Sequence, residues 1–180
     1  MTYDQEHIIA GLKKGDRKSQ ELLYKQHSPL LLSVCRRYVK NSADAEDVFI
    51  EGFYKILSKI KMYSGKGSFE GWMRRIMVNE SLMHLRKNNN FSMTLELSNV
   101  DIKYEVAYDE IIDYQKLLKI LEYLPIGYKT VFNMYVIEGY KHREIAEKLS
   151  ISINTSKSQL IQARKRLQEI IKKKHLYNFA

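Results

Sequence analysis

Apolar residues recur every three or four positions along most of this chain, and nowhere do they alternate with polar ones over the length of a strand. That period predicts an all-α protein. From Tyr3 to Arg86 nearly every stretch has helical spacing, with breaks expected at Gly15–Asp16, near Pro29, at Asn41–Ser42 and across Ser64–Gly65–Lys66–Gly67–Ser68. This gives about four helices. The clearest runs from Ser42 to Ile60, where Phe49, Phe53, Ile56, Leu57 and Ile60 mark one apolar face. Asp44, Glu46 and Asp47 crowd its first turns, where negative charge suits the helix dipole.

Periodicity lapses from Asn88 to Asp109, and there Glu96, Asp101, Glu105 and Asp109 are opposed by Lys103 alone. The pattern divides the chain into two small helical domains, 1–88 and 110–180, joined by a flexible acidic linker over 89–109. The linker's acidity is either an ordinary solvated surface or a cover over a basic groove. Helical spacing returns with Ile111, Tyr114, Leu118 and Leu121 and stops at Leu124–Pro125. A further helix carries Tyr128, Val131, Phe132 and Tyr135 and ends at Gly139. Two more are expected, Lys141–Leu149 and Ile153–Lys174, with a tight turn around Ser150–Ile151–Ser152.

Charge narrows the partner. The 180 residues hold 30 Lys and Arg against 21 Asp and Glu, a formal net charge of +9, which points to a polyanion, nucleic acid first and an anionic membrane surface second. No stretch approaches the ~20 apolar residues that span a bilayer, and the N-terminus has no signal-peptide apolar core, so membrane insertion is not expected and a cytoplasmic location is. The single cysteine, Cys35, lies among Leu31, Leu32, Val34 and Tyr38, the setting of a buried structural thiol in a reducing compartment.

The last two helices carry the most specific signal. A helix, a turn of three or four residues and a second helix is the arrangement that places a recognition helix in the DNA major groove. Ile145, Ala146 and Leu149 supply the apolar face of the first; Ile153, Ser156, Leu160, Ala163, Leu167 and Ile170 mark the buried face of the second. Asn154, Thr155, Lys157, Ser158, Gln159, Arg164, Lys165 and Arg166 are then left outward, amides and hydroxyls for base edges and cations for phosphate or guanine. Ser152 is placed to cap the helix.

Leu124–Pro125, Val131–Phe132, Glu144–Ile145–Ala146 and Asn154–Thr155–Ser156–Lys157–Ser158 through Ala163–Arg164 resemble the fourth conserved region of bacterial sigma factors. In the first half, Asp44–Ala45–Glu46–Asp47–Val48 followed by Phe53 resembles the sigma region that docks on core RNA polymerase, and Gly67–Ser68–Phe69–Glu70–Gly71–Trp72–Met73–Arg74–Arg75–Ile76 with Asn79 resembles its promoter-melting segment. The chain is thereby identified as a member of the sigma-70 family, in its extracytoplasmic-function group. The resemblance implies polymerase contacts from Asp44, Glu46, Asp47, Ile50 and Glu51, and minus-35 recognition by Asn154, Thr155, Lys157, Ser158, Gln159, Arg164 and Lys165. It implies capture of the minus-10 element by Lys66, Ser68, Phe69, Trp72, Arg74, Arg75, Asn79 and Arg86. Core polymerase, promoter DNA and an anti-sigma factor are the partners implied. For Trp72 a second reading stays open, since helical spacing also pairs it with Ile76 as a core residue.

A stand-alone helix-turn-helix regulator is the main alternative, and it would have no use for the docking helix around Asp44 to Phe53. An enzyme is not expected: there is no phosphate-cradling glycine loop, no Cys/His metal spacing and no nucleophile–base pair, and His7, His27, His84, His142 and His175 are scattered. Neither cofactor nor metal is called for.

Overall fold

The computed structural model of the chain describes residues 5–87 and 114–176, and every described element is helical. Contacts divide the chain between Asn88 and Asn89 into two units. The acidic segment 89–109, and Ile111 with it, lie outside the described residues.

The N-terminal unit comprises α1 (Gln5–Lys13), α2 (Arg17–Tyr38), α3 (Ser42–Lys59), a short 3₁₀ turn (Ile60–Met62) and α4 (Phe69–Lys87). Side-chain caps set the starts of two of these helices. The Asp16 carboxylate accepts from the Ser19 N–H and hydroxyl, and Asn41 Oδ1 accepts from the N–H groups of Ala43 and Asp44. The expected break near Pro29 is absent: α2 runs through it without interruption. Pro29 and Lys25, four residues back, are both exposed, so water can serve the carbonyl that proline leaves without a donor.

The core of this unit forms where α2, α3 and α4 meet, and it is fully dry at Leu23, Leu31, Val34, Cys35, Ile56, Met73 and Met77. Cys35 is the structural thiol expected, its Sγ 3.8 Å from Met77 Sδ, and burial pushes the thiol up to about 11. The buried stripe of α4 is Phe69, Met73, Met77 and Leu85, displaced by one position from the Trp72–Ile76 pair that spacing suggested, and both of those residues are half-buried at its margin. Glycine sets how closely α3 approaches α4. A Cβ on Gly52 would stand 2.5 Å from Met77 Sδ. Beside this contact Lys55 pairs with the buried carboxylate of Glu80.

The C-terminal unit comprises α5 (Tyr114–Leu121), α6 (Ile126–Phe132) continued by a π-helical turn (Asn133–Ile137), α7 (His142–Leu149) and α8 (Ile153–Leu176). Gly139, at φ +74°, turns the chain out of the π segment where an L side chain would be strained. The Glu144 carboxylate accepts from the Lys141 N–H at 2.8 Å at the head of α7. Ser150, in the left-handed region at φ 55°, ends that helix, and Ser152 caps the next by accepting from the Thr155 N–H at 2.9 Å. Helix, three-residue turn and helix follow as expected. Ser156, Leu160, Ala163, Leu167 and Ile170 are buried, but Ile153 is 44% exposed, because the buried stripe of α8 begins beyond its first turn.

Candidate nucleic-acid interface

Three exposed faces carry the residues singled out above, one on each of α3, α4 and α8. On α8, Asn154, Ser158 and Lys165 step by four and seven positions along the side opposite the core, with Lys157 and Arg164 flanking them. All five are exposed. Ile161, which sequence reasoning passed over, stands in the same row at 62% exposure. Ser158 donates its hydroxyl to the Thr155 carbonyl at 3.0 Å, so what it offers outward is lone pairs. Thr155 is half-buried and its hydroxyl meets that of Ser152 at 2.8 Å, which gives it to the cap before any ligand. The only acid of α8, Glu169, lies 3.4 Å from Arg166.

Gln159 is a correction. It is 6% exposed and faces α6, not solvent, so it belongs to the packing of the unit and not to the outward face. Polarity had put it outside; its position one before Leu160 and three after Ser156 puts it in.

On α4, Trp72, Arg75, Asn79 and Arg86 share one side at steps of three, four and seven. Met83, 54% exposed and four residues beyond Asn79, extends that side and was not foreseen. Two expected members are elsewhere. Phe69 is 1% exposed, its ring 5.0 Å from Tyr63 and stacked at 5.8 Å on Trp72, so it supports the tryptophan from beneath and cannot itself receive a base. Arg74 points away, half-buried and 3.5 Å from Glu70. The loop before α4 is tied down by the Tyr63 hydroxyl, which donates to the Gly67 carbonyl at 2.8 Å, while Ser68 Oγ accepts from the Gly71 N–H and Lys66 is exposed.

On α3, Asp47, Ile50 and Glu51 are exposed, and Tyr54, 71% exposed, completes a face of two carboxylates and two apolar groups. Asp44, half-buried, has His84 Nε2 at 3.6 Å, and Glu46, exposed like Asp47, is bonded by Arg36 at 3.1 Å on the side toward α2. Tyr54 escaped notice because the period was followed along the buried side of the helix.

Among the described residues no group of acidic, His or Cys side chains is placed to hold a metal, and no helix is long and apolar enough to cross a membrane.

Two family models match the chain. Sigma-70 region 2 covers residues 23–91 and Sigma-70, region 4 covers residues 114–167, together about two thirds of its length. The ECF RNA polymerase sigma-E factor of Haemophilus influenzae is 25% identical, over 91% of this chain and 93% of that one. The RNA polymerase sigma factor SigV of Bacillus subtilis is 29% identical, over 77% and 82% respectively. In fold, the chain is similar to the sigma factor RpoE of Bartonella quintana, solved with the anti-sigma factor NepR, at a TM-score of 0.54 and 21% identity over 84% of this chain and 96% of that one. The region 2 match over α2, α3 and α4 removes the stand-alone regulator from consideration, since that reading had no role for those helices. With a region 2 unit followed by a region 4 helix-turn-helix, the chain belongs to the sigma-70 family of RNA polymerase sigma factors, in the extracytoplasmic-function group.

Proposed function

We propose that this sigma factor divides the promoter between its two units. The N-terminal unit docks on core polymerase through Asp47, Ile50, Glu51 and Tyr54 of α3 and takes the minus-10 element on the Trp72, Arg75, Asn79 and Arg86 side of α4. The C-terminal unit reads the minus-35 element in the major groove with Asn154, Lys157, Ser158, Arg164 and Lys165 of α8. The observation that carries this is the single row on α4, where a half-buried aromatic ring, two exposed guanidiniums and an exposed amide stand together, the set needed to stack an extruded base, hold its flanking phosphates and bond its edge. Support for the second half is the row on α8, polar at its N-terminal end and basic beyond, as a groove-entering helix requires.

The division implies that 1–88 and 110–180 act as separate modules spanned by 89–109. Each module alone makes few contacts, and attachment to polymerase raises the effective concentration of the second once the first is bound. The protein directs a catalyst and needs no cofactor or metal of its own, and it works in the cytoplasm with polymerase. RpoE is held by NepR in the solved complex, which supports an anti-sigma factor as a partner here too.

The test is run-off transcription from genomic promoter fragments with purified core polymerase, with and without this protein. Specific transcripts that require the protein, together with weak binding of duplex promoter by the protein alone, are expected. Tight sequence-specific binding by the free protein with no transcript from added core overturns the reading.

A further inference from the structure

His142, the first residue of α7, touches both of its neighbouring elements. Its ring stacks on Tyr135 of the π turn, with centroids 4.4 Å apart and planes 23° from parallel. Its Nδ1 lies 2.9 Å from the hydroxyl of Ser156 in α8. Ser156 is 0% exposed and sits among apolar neighbours on the buried stripe, so its hydroxyl depends on an internal partner, and the imidazole is that partner. The residues on either side of Ser156 in the sequence are Thr155, whose N–H is capped by Ser152, and Lys157, a cation of the outward face.

α7 packs on α8, and the buried residues of the two helices include the apolar Ile145, Ala146 and Leu149 on one and Leu160 and Ala163 on the other. Apolar burial has no directional preference of its own, so it does not by itself fix one rotation of a helix. A hydrogen bond between a stacked ring and a buried hydroxyl does have one, since its energy falls steeply with angle. The stack fixes the imidazole plane, the bond fixes Ser156 to it, and Ser156 is one residue from Lys157 and two from Asn154 and Ser158. We propose that His142 is a positioning residue for promoter recognition, locking the rotation and depth of α8 through Ser156 so that Asn154, Lys157 and Ser158 meet the groove in one register. The inference rests on the reading of α8 as the minus-35 reader. Neighbouring charge supports it: Lys157 and Arg164 lie near enough to act on His142, so the lock adjoins the DNA-facing cations.

The test uses holoenzyme assembled from core polymerase and each variant, on a duplex promoter fragment chosen by run-off transcription and on the same fragment with its minus-35 element scrambled. His142→Phe keeps a ring on Tyr135 and removes the bond; Ser156→Ala removes the hydroxyl from the other side; His142→Asn sets an amide near the position of Nδ1. The Phe and Ala variants are each expected to lose about three- to tenfold in promoter affinity on the intact fragment, the worth of one directional bond, and nothing on the scrambled one. The double variant should lose no more than either, and the Asn variant should recover most of the loss. Losses that add, a loss shared by the scrambled fragment, or an Asn variant as weak as the Phe variant overturns the lock. If wild-type holoenzyme treats the two fragments alike, the reading of α8 itself falls and the lock with it. A wild-type preference that survives in every variant removes the lock alone.

Discussion

Gln159 lies against Gly127: a Cβ on that glycine would stand 3.3 Å from the glutamine's amide oxygen. The contact joins the start of α6 to the N-terminal third of α8, and among the described residues Gln159 Oε1 is buried without a hydrogen-bond partner. Replacing Gln159 with Ala therefore opens a gap between the two helices and should cost about 1–3 kcal/mol of the stability of the C-terminal unit. Base preference in the minus-35 element should not change. Gln159→Met, of similar reach and free of the unpaired oxygen, should be neutral or stabilising. Far-UV circular dichroism in urea gives the stabilities, and a changed promoter preference in a stable Gln159→Ala protein would return this residue to the outward face.

The α3 face makes a separate prediction. Tyr54→Ala should weaken association with core polymerase by about 2 kcal/mol, roughly thirtyfold, as exposed tyrosines that become buried anchors do. Asp47→Lys should also weaken it, with a marked loss in on-rate at low salt. Glu46→Gln should do little in either respect, because its exposed pair with Arg36 contributes at most about 1 kcal/mol to the fold. Surface-immobilised core polymerase and each purified variant suffice. A Glu46 variant as defective as the Tyr54 variant would move the docking face toward α2.

Helix existence, the interdomain break and the helix-turn-helix were legible because each has a local signal: period, turn residues, and a capping serine at Ser152. What the sequence concealed was rotation. On α8 the sets that include Ile153 or Gln159 both step by three and four, and only packing against Gly127 chooses between them. On α4 the large, apolar Trp72 draws attention, while the smaller Met73 beside it fills the core. Pro29 misled for a related reason: a helix packed on both α3 and α4 tolerates one missing N–H on its solvent side. The unpredicted Tyr54, Met83 and Ile161 are all exposed apolar groups, and no periodicity distinguishes those from core residues.

His142 should titrate below the ordinary imidazole range, first because burial disfavours its charge and then because Lys157 and Arg164 repel the added proton. The folded protein then binds that proton less readily than the unfolded chain. The contribution to stability is present above pH 6.5 and is lost as pH falls below it. Lys157→Ala should move the titration upward without restoring it fully, since desolvation is the larger cause. Following the imidazole Hε1 shift by NMR between pH 5 and 8 reads this directly. An unchanged midpoint in the Lys157 variant would show that the lysine does not reach the ring.

A close approach of α3 to α4 at Gly52 sets the last prediction. Gly52 leaves room for Met77 Sδ where a Cβ would stand 2.5 Å away and would also press on Met77 Cε at 3.2 Å. The thioether is the far end of a flexible side chain, which alone would make Gly52→Ala inexpensive. But Met77 is 0% exposed and its sulfur already meets Cys35, so it has nowhere to turn. Overpacking should outweigh the gain in helix propensity and leave Gly52→Ala destabilised by about 1–3 kcal/mol. Met77→Ala, which leaves a cavity, should cost about 2–5 kcal/mol. In the double variant the new methyl enters that cavity, so the two costs should fall short of their sum by at least about 1 kcal/mol. Trp72 is the only tryptophan of the chain and lies in this unit, so its fluorescence in urea follows the transition without interference from residues 114–176. Strict additivity would mean that the methyl and the sulfur never compete for the same space, and that α3 and α4 part easily at Gly52.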